Sequence, residues 1–598
     1  MPRPVLIRGG TLFDGLGAAR RECDLLIREG VVEALLPPGS ALPGVEDEAE
    51  SIDARGCWVT PGFIDLHTHY DAEVELWPAL GESVRHGVTT IFLGSCGLSL
   101  AIGRPVDLAD MFCRVEGIPR EVVKPLLEQH KDWDGPTSYL EHLDALPLGP
   151  NVAALLGHSA IRAATMGLGR SLDADARPSG AELDRMRSLL DEALDVGYLG
   201  LSINTLPWDK MDGDEFRSRP TPSVFASWSE YRALAKLLRR RGRVLQGVPN
   251  VSTKLNVLLF ALLSTGVARR ALKTTLIAQM DPPAARGIHR VVGVISRLTN
   301  RLLGGDLRFQ ALPNPFDMWV DGIEVPVFEE FGAGTEALHV REPAARAALL
   351  RDDGYRRRFR RHWGDRLHGR AYHRDLAQTH VLACPEPKWV GKSFAAIARE
   401  RGTDAIDTLL DLVAEFGTAL RWQTIVANDR PAELEWIVRH PDVLIGFSDA
   451  GAHLRNMAYY NFPLRLLKLV RDAEGRGAPV MTIERAVHRL TGEIAGWFGL
   501  DVGRLEVGAR ADVAVIDPTA LDGDLDVMVE RPMAAAEVPE RPSEPSPWAR
   551  FGELERLVRR NDRALRHVLV AGRTAWADGR LAAELGHRRG FGSVLRVR

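Results

Sequence analysis

Eight short apolar runs, at residues 62–66, 89–94, 151–156, 199–203, 243–247, 275–279, 424–427 and 443–447, alternate with stretches of helical periodicity. Strands separated by helices run parallel, so a chain patterned this way has few folds open to it. Residues 181–196 carry apolar side chains at Leu183, Met186, Leu189, Leu190 and Leu194, the spacing of one buried helix face, and 231–239 reads the same way. Eight such units predict an α/β barrel, whose chemistry gathers at the C-terminal ends of its strands.

The two ends of the chain read differently. Residues 1–60 and 501–598 are rich in β-branched runs broken by glycines, and the two ends are expected to pair into one small β-sandwich. Residues 61–500 would then form the barrel. Within it, 288–380 is basic and contains Pro313 and Pro315, so it is expected as an insertion over the barrel mouth. The proline-rich 536–549 reads as a surface linker.

Composition excludes several function classes. With 76 Lys plus Arg against 80 Asp plus Glu in 598 residues, the net charge of −4 leaves no basic footprint for nucleic acid. The run Arg356 to Arg361 is expected to be a solvated helix face. Five scattered cysteines form no disulfide framework, which fits a reducing, cytoplasmic compartment. No run of about 18 apolar residues occurs, so no membrane segment is expected.

The strongest chemical signal is PGFIDLHTH at 61–69. An apolar run ends in His67 and His69, and residues two apart on a strand share a face, so both imidazoles can bind one metal unless they are plain surface histidines. Asp65 is expected to hold one imidazole by its second nitrogen. The next run ends in Gly94-Ser95-Cys96-Gly97, where the Cys96 thiolate is either a zinc ligand or a small buried hydrophobe. The eighth run delivers Asp449, with His453 four residues on. Asp449 can ligate a metal and shuttle a proton, or simply cap a helix.

Taken with NVAALLGHSAIRAATMG, LDVGYLGLS, LACPEPKWVGKSFAAIA, GFSDAGAH and GRLEVGARADVAVIDP, these segments resemble the amidohydrolase superfamily, and within it the N-acyl-D-amino-acid deacylases (D-aminoacylases). The resemblance spans nearly the whole chain in order, and a cysteine at the bridging position is its specific mark. It implies a distorted (β/α)8 TIM barrel with a small β-sandwich from both chain ends. It further implies zinc at His67, His69, Cys96 and Asp449, with Asp449 also the general acid and base. The implied reaction is hydrolysis of the linear amide of an N-acyl amino acid of D configuration; the alternatives are a cyclic-amide hydrolase and a non-catalytic barrel that binds a ligand.

The chain departs from that family where histidine ligands are expected on the fifth and sixth strands. Gln246, Asn250, Gln279 and Asp281 stand there instead, as weaker ligands, substrate contacts or turn formers, so one zinc ion rather than two is expected. His158, His453, Gln246 and Gln279 are candidate contacts for the small N-acylated substrate, and Arg455 for its carboxylate. Phe309, Phe316 and Trp319 are either an apolar lid or core residues. The oligomeric state is left open.

Overall fold

The computed structural model describes residues 3–41, 44, 48–250, 255–365, 369–533 and 547–597. Eight parallel strands form the central barrel: β1 (Phe63–Asp65), β2 (Val88–Leu93), β3 (Asn151–Gly157), β4 (Gly200–Asn204), β5 (Val244–Val248), β6 (Lys273–Ile277), β7 (Asp306–Ala311) and β8 (Val443–Ile445). The ring closes where short extensions of β8 and β1 pair, Phe447 with His67 and Ala450 with Thr68. Leu66 N–H donates to Gly446 C=O at 2.8 Å across the same seam. The extensions matter because they carry the site residues.

The helices follow the periodicity. Helix α1 (Gly180–Asp195) buries Met186, Leu189, Leu190, Ala193 and Leu194, and its start is fixed by a reciprocal Ser179–Glu182 capping box. Helix α2 (Trp228–Arg241) ends at Gly242, whose φ of 67° gives the left-handed cap that a side chain would resist. Helices α3 (Leu255–Ser264) and α4 (Ile288–Leu302) follow β5 and β6 on the barrel's flank.

Two elements correct the sequence reading. Residues 424–427 are not a barrel strand: Arg421–Ala427 is the middle strand of a separate antiparallel sheet, between Phe316–Asp321 and His380–Ala383. The seventh barrel strand is β7, which pairs with β6 and β8. The expected insertion at 288–380 is therefore displaced, because α4 and β7 belong to the barrel. The true excursion runs between β7 and β8 and packs its own aromatic core of Phe328, Phe331, Phe359, Trp363 and Trp422. Strand β6 also begins two residues earlier than the run at 275–279 suggests.

Both chain ends build one nine-stranded sheet. Trp58–Pro61 lies between Val5–Leu12 and Val513–Ile516, pairing Val513 with Pro61 and Ile516 with Trp58. The edge strand Val31–Leu36 returns to the 508–511 segment, with Val32 N–H donating to Ala509 C=O at 2.8 Å. The sheet thus curls around its own apolar core, which includes Val5, Ile27, Val59, Val513 and Leu569. Asp512 fastens it to the barrel, accepting from Asn151 Nδ2 at 2.7 Å and from Ala571 N–H at 2.8 Å. Of the expected linker at 536–549, residues 536–546 lie outside the described residues.

Helix α5 (Asp353–Trp363) carries the basic run. Arg356 pairs with Asp411, Arg358 with Glu336 at 2.6 Å and Arg360 with Asp407, so the run is an ion-paired helix face. Phe309 is buried on β7, Phe316 stacks on Tyr459, and Trp319 packs beside Ala458 and Leu557, so these three side chains pack against the protein interior.

Candidate functional site

The seam between β1 and β8 brings three sequence motifs together. His67 and His69 leave β1 on the same face, and both aim Nε2 at Asp449 Oδ1, at 3.6 Å and 3.4 Å. Cys96, just past β2, places Sγ 3.4 Å from His67 Nε2. The ligand atoms of His67, His69 and Cys96 all lie within 4.8 Å of one another, and the three side chains are buried. Asp449 stands half-buried on the open side.

The backbone holds two of these residues in a conformation L-amino acids avoid. Cys96 has φ of 55° and Asp449 φ of 59°, and His453 nearby has 50°. Each such residue costs on the order of 1–3 kcal/mol and persists where surrounding contacts determine it. Here the neighbours are glycines, Gly94, Gly97 and Gly451, all with positive φ. At Gly451 a Cβ would lie 2.4 Å from His69 C=O, so close packing of the two loops needs glycine there.

Gln246, on β5, braces the cluster from behind. Its amide oxygen accepts the Cys96 N–H at 3.0 Å, and its side-chain nitrogen lies 3.1 Å from His67 Nδ1. Gln246 therefore contacts the two candidate ligands rather than facing the cavity. Asp65 does not hold an imidazole as expected: it accepts from His67 N–H at 3.3 Å and from the Ser448 hydroxyl, and burial pushes its carboxyl up to about 8.

The electrostatics favour a bound cation. Burial would raise the Asp449 carboxyl, but His69, His67 and His453 outweigh it and hold it at about 2. Burial likewise opposes charge on His69, yet Asp449, Asp71 and Asp209 raise that ring above its ordinary value. Burial pushes His67 down to about 3 and His453 down to about 4, in each case against the pull of Asp449. The Cys96 thiol is raised by burial and then by Asp209, Asp449 and Asp71. Three carboxylates thus converge where a single imidazole offers countercharge. Two imidazoles, a thiol and a carboxylate form a donor set that suits zinc, and a divalent cation would supply the missing positive charge.

Asp71 and Asp209 were not singled out from sequence. Asp71 continues the period of two from His67 and His69, a signal that was available; burial raises it to about 7, and its Oδ1 has no hydrogen-bond partner. Asp209 sits in the loop after β4, where no motif marks it. It accepts from Asn204 Nδ2, and burial lifts it to about 6 against His69 and Asn204.

A cavity of about 580 Å³ opens beside this cluster, lined by the loops after β2, β4 and β8 and by the β7–β8 excursion. Asp209 and His453 line it and also adjoin the cluster. Its cations differ in availability. Arg114 is held by Glu329, and Arg455 pairs with Asp321 at 2.8 Å, with Glu530 and with Glu555 at 3.6 Å. Arg455 thus reaches the cavity, but its charge is already committed. Lys210, half-buried, forms no ion pair within 4.0 Å among the described residues; burial and then Arg114 lower it to about 8.

The other expected contacts lie elsewhere. His158 is fully buried between Glu230, at 3.0 Å, and Ser223 Oγ, at 3.1 Å, and Glu230 in turn holds Arg162. Gln279 turns outward and donates to His289 C=O at 2.9 Å. Asp281 is bound by Arg430 at 2.7 Å and His289 at 3.1 Å, and Asn250 N–H donates to Thr205 Oγ1 at 2.9 Å. None of these four lines the cavity.

No protein-family model matches the chain. It is 48% identical over 599 residues to an uncharacterized protein of Mycobacterium tuberculosis, covering 99% of this chain and 94% of that one. It is 27% identical over 519 residues to the N-acyl-D-glutamate deacylase of Alcaligenes xylosoxydans xylosoxydans, covering 86% and 87% of the two chains. The crystal structure of N-acyl-D-glutamate deacylase from Bordetella bronchiseptica, complexed with zinc and a phosphonate inhibitor, superposes with a TM-score of 0.62 at 24% identity over the whole of both chains. The shared fold is the barrel with its appended β-sheet.

Proposed function

We propose, from the premise that this chain belongs to the amidohydrolase superfamily and to its N-acyl-D-amino-acid deacylase family, that it is a zinc-dependent hydrolase cleaving the linear amide bond of N-acyl-D-amino acids. The observation that carries this reading is the convergence of His67, His69, Cys96 and Asp449 on one point at the barrel mouth. These four residues would hold one zinc ion, which supplies Lewis-acid polarisation of the amide carbonyl and a lowered pKa for the attacking water. A single ion fits better than two, because Gln246 is engaged behind His67 and Gln279 faces away from the site.

The chain's own residues do the rest. Asp449 is ionised at neutral pH and lies near His453, which lines the cavity, so it enters as the proton acceptor. It takes the proton of the attacking water as oxygen bonds to the carbonyl carbon. It returns that proton to the nitrogen as the carbon–nitrogen bond breaks, releasing a carboxylic acid and a free amino acid. Lys210 offers the uncommitted ammonium of the cavity, suited to the carboxylate of the amino-acid half. The same cavity wall presents Asp209, which disfavours acidic groups elsewhere on the substrate, whereas Asp212 is already paired with Arg217 and Arg341.

The test combines elemental analysis with a panel of N-acetyl-D-amino acids, their L enantiomers and their carboxamides. About one zinc per chain and turnover of the D acids is the expected result. A chain that takes up no zinc, or one that takes it up and hydrolyses none of the panel, would overturn the assignment.

A further inference from the structure

Helices α3 and α4 lie side by side on the barrel's flank, and α4 carries apolar side chains on both faces, with Val292 and Ile295 half-buried against the core. Its buried residues are His289, Gly293, Ser296 and Thr299, small or polar, whereas Val291, Val294, Leu298 and Leu302 face solvent. That spacing of three and four draws one continuous apolar stripe along the outer face. Helix α3 adds Leu258 and Leu262, again one turn apart. The two helices meet at their C-terminal ends, where Gly266 N–H donates to Leu303 C=O at 2.9 Å and exposed Val267 and Leu303 join the two stripes.

Scattered exposed aliphatics need no explanation, but these are not scattered. Eight of the fourteen large apolar side chains exposed among the described residues fall between 258 and 303, each 40–72% exposed. A contiguous apolar face of this kind on a folded domain marks an interaction surface.

Charge identifies the partner. Residues 255–305 contain seven lysines and arginines but one acidic residue, Asp281, in a chain whose net charge is −4. Asp281 is buried and already paired with Arg286, Arg430 and His289. Arg269 and Arg270 follow Val267, and Arg297 and Arg301 flank Leu298 and Leu302. None of the four forms a salt bridge among the described residues. A second copy docked on this face about a two-fold axis would set the same uncompensated arginines against each other.

We propose that this face docks on an anionic membrane surface, with α3 and α4 lying in the interface plane, apolar stripe inward and arginines among the headgroups. That no helix among the described residues is long and apolar enough to cross a membrane bears on crossing a bilayer, not on lying against one. Neither helix lines the cavity, so docking leaves the barrel mouth open.

The test is sedimentation of the full chain with vesicles of phosphatidylcholine alone and of phosphatidylcholine mixed with phosphatidylglycerol. Binding to the mixed vesicles only, weakened by added salt, is expected. A Leu298→Ser/Leu302→Ser variant should lose it. An Arg270→Gln/Arg297→Gln/Arg301→Gln variant should weaken it on the order of a hundredfold, since each headgroup-level arginine is worth about fivefold. These side chains are exposed, apart from the half-buried Arg297, and lie away from the candidate zinc ligands, so both variants should keep the native circular dichroism and zinc content. No binding to either vesicle overturns the proposal. So does a dimer, seen by light scattering, that the leucine variant dissolves, because it gives the face to a second copy.

Discussion

Gln246 and His67 touch through the Gln246 side-chain nitrogen and the ring Nδ1, 3.1 Å apart, while the Gln246 carbonyl oxygen is held by the Cys96 N–H. One side chain on β5 thus sets the orientation of a ring on β1 and of a backbone turn after β2. Replacing it by leucine preserves volume but frees both. Gln246→Leu should lower zinc affinity by roughly 10–100-fold, the usual cost of removing such a support. Competition against a chelator measures it; unchanged affinity would show that His67 needs no brace.

Asp449→Asn keeps the shape of the side chain but removes the proton acceptor. The turnover number is expected to fall by roughly 10²–10⁴-fold. Steady-state kinetics on zinc-loaded protein, with metal content measured in the same sample, separates this loss from a loss of metal.

Cys96 is raised well above its ordinary value by burial, so its thiol is protonated at neutral pH until a cation takes the proton's place. Zinc uptake should therefore release protons and tighten as pH rises. Calorimetry in buffers of different ionisation enthalpy counts the protons. Cys96→Ala should lose that release and most of the bound metal.

Lys210 is lowered to about 8, so it is charged below that pH and neutral above it. KM for N-acyl amino acids bearing a carboxylate should rise as pH passes 8, while KM for the matching carboxamides stays flat. Lys210→Met should abolish the difference and raise KM for the acids at pH 7. Arg455→Ala, by contrast, removes an arginine already neutralised by Asp321, Glu530 and Glu555, and should change KM for acids and carboxamides alike.

Asp512 joins the appended sheet to the barrel through Asn151 and Ala571. Asp512→Ala leaves the half-buried Ala571 N–H without its acceptor and Asn151 Nδ2 with only Thr89 C=O at 3.0 Å and Thr90 Oγ1 at 3.3 Å, at about 1–3 kcal/mol in all. The midpoint of chemical denaturation should fall accordingly, with zinc affinity unaltered in the folded protein.

Much of this was legible in the sequence, for physical reasons that differ by residue. His67, His69, Cys96 and Asp449 stand at strand ends, and a parallel barrel delivers strand ends to one mouth whatever the loops do. His158 and Gln279 also stand near strand ends, but position alone does not say where a side chain points; Glu230 and His289 claimed them. Strand β7 was missed because Leu307, Phe309 and Ala311 alternate with Arg308 and Gln310, the pattern of a strand wet on one side. Residues 424–427 were mistaken for it because Thr-Ile-Val-Ala reads as a fully buried strand, although Ile425 is exposed. Lys210 and Asp209 lie in a loop with no periodicity, and only the fold brings them to the cavity.

The strand Trp58–Pro61 sits between one neighbour from the start of the chain and another, Val513–Ile516, from near its end. During synthesis it leaves the ribosome on the order of tens of seconds before that second neighbour exists. For that interval its edge is bare, and a bare apolar edge pairs with whatever strand arrives first. The hazard passes only when Val513–Ile516 emerges, so a chain interrupted within the barrel should be found in aggregates or bound to chaperones.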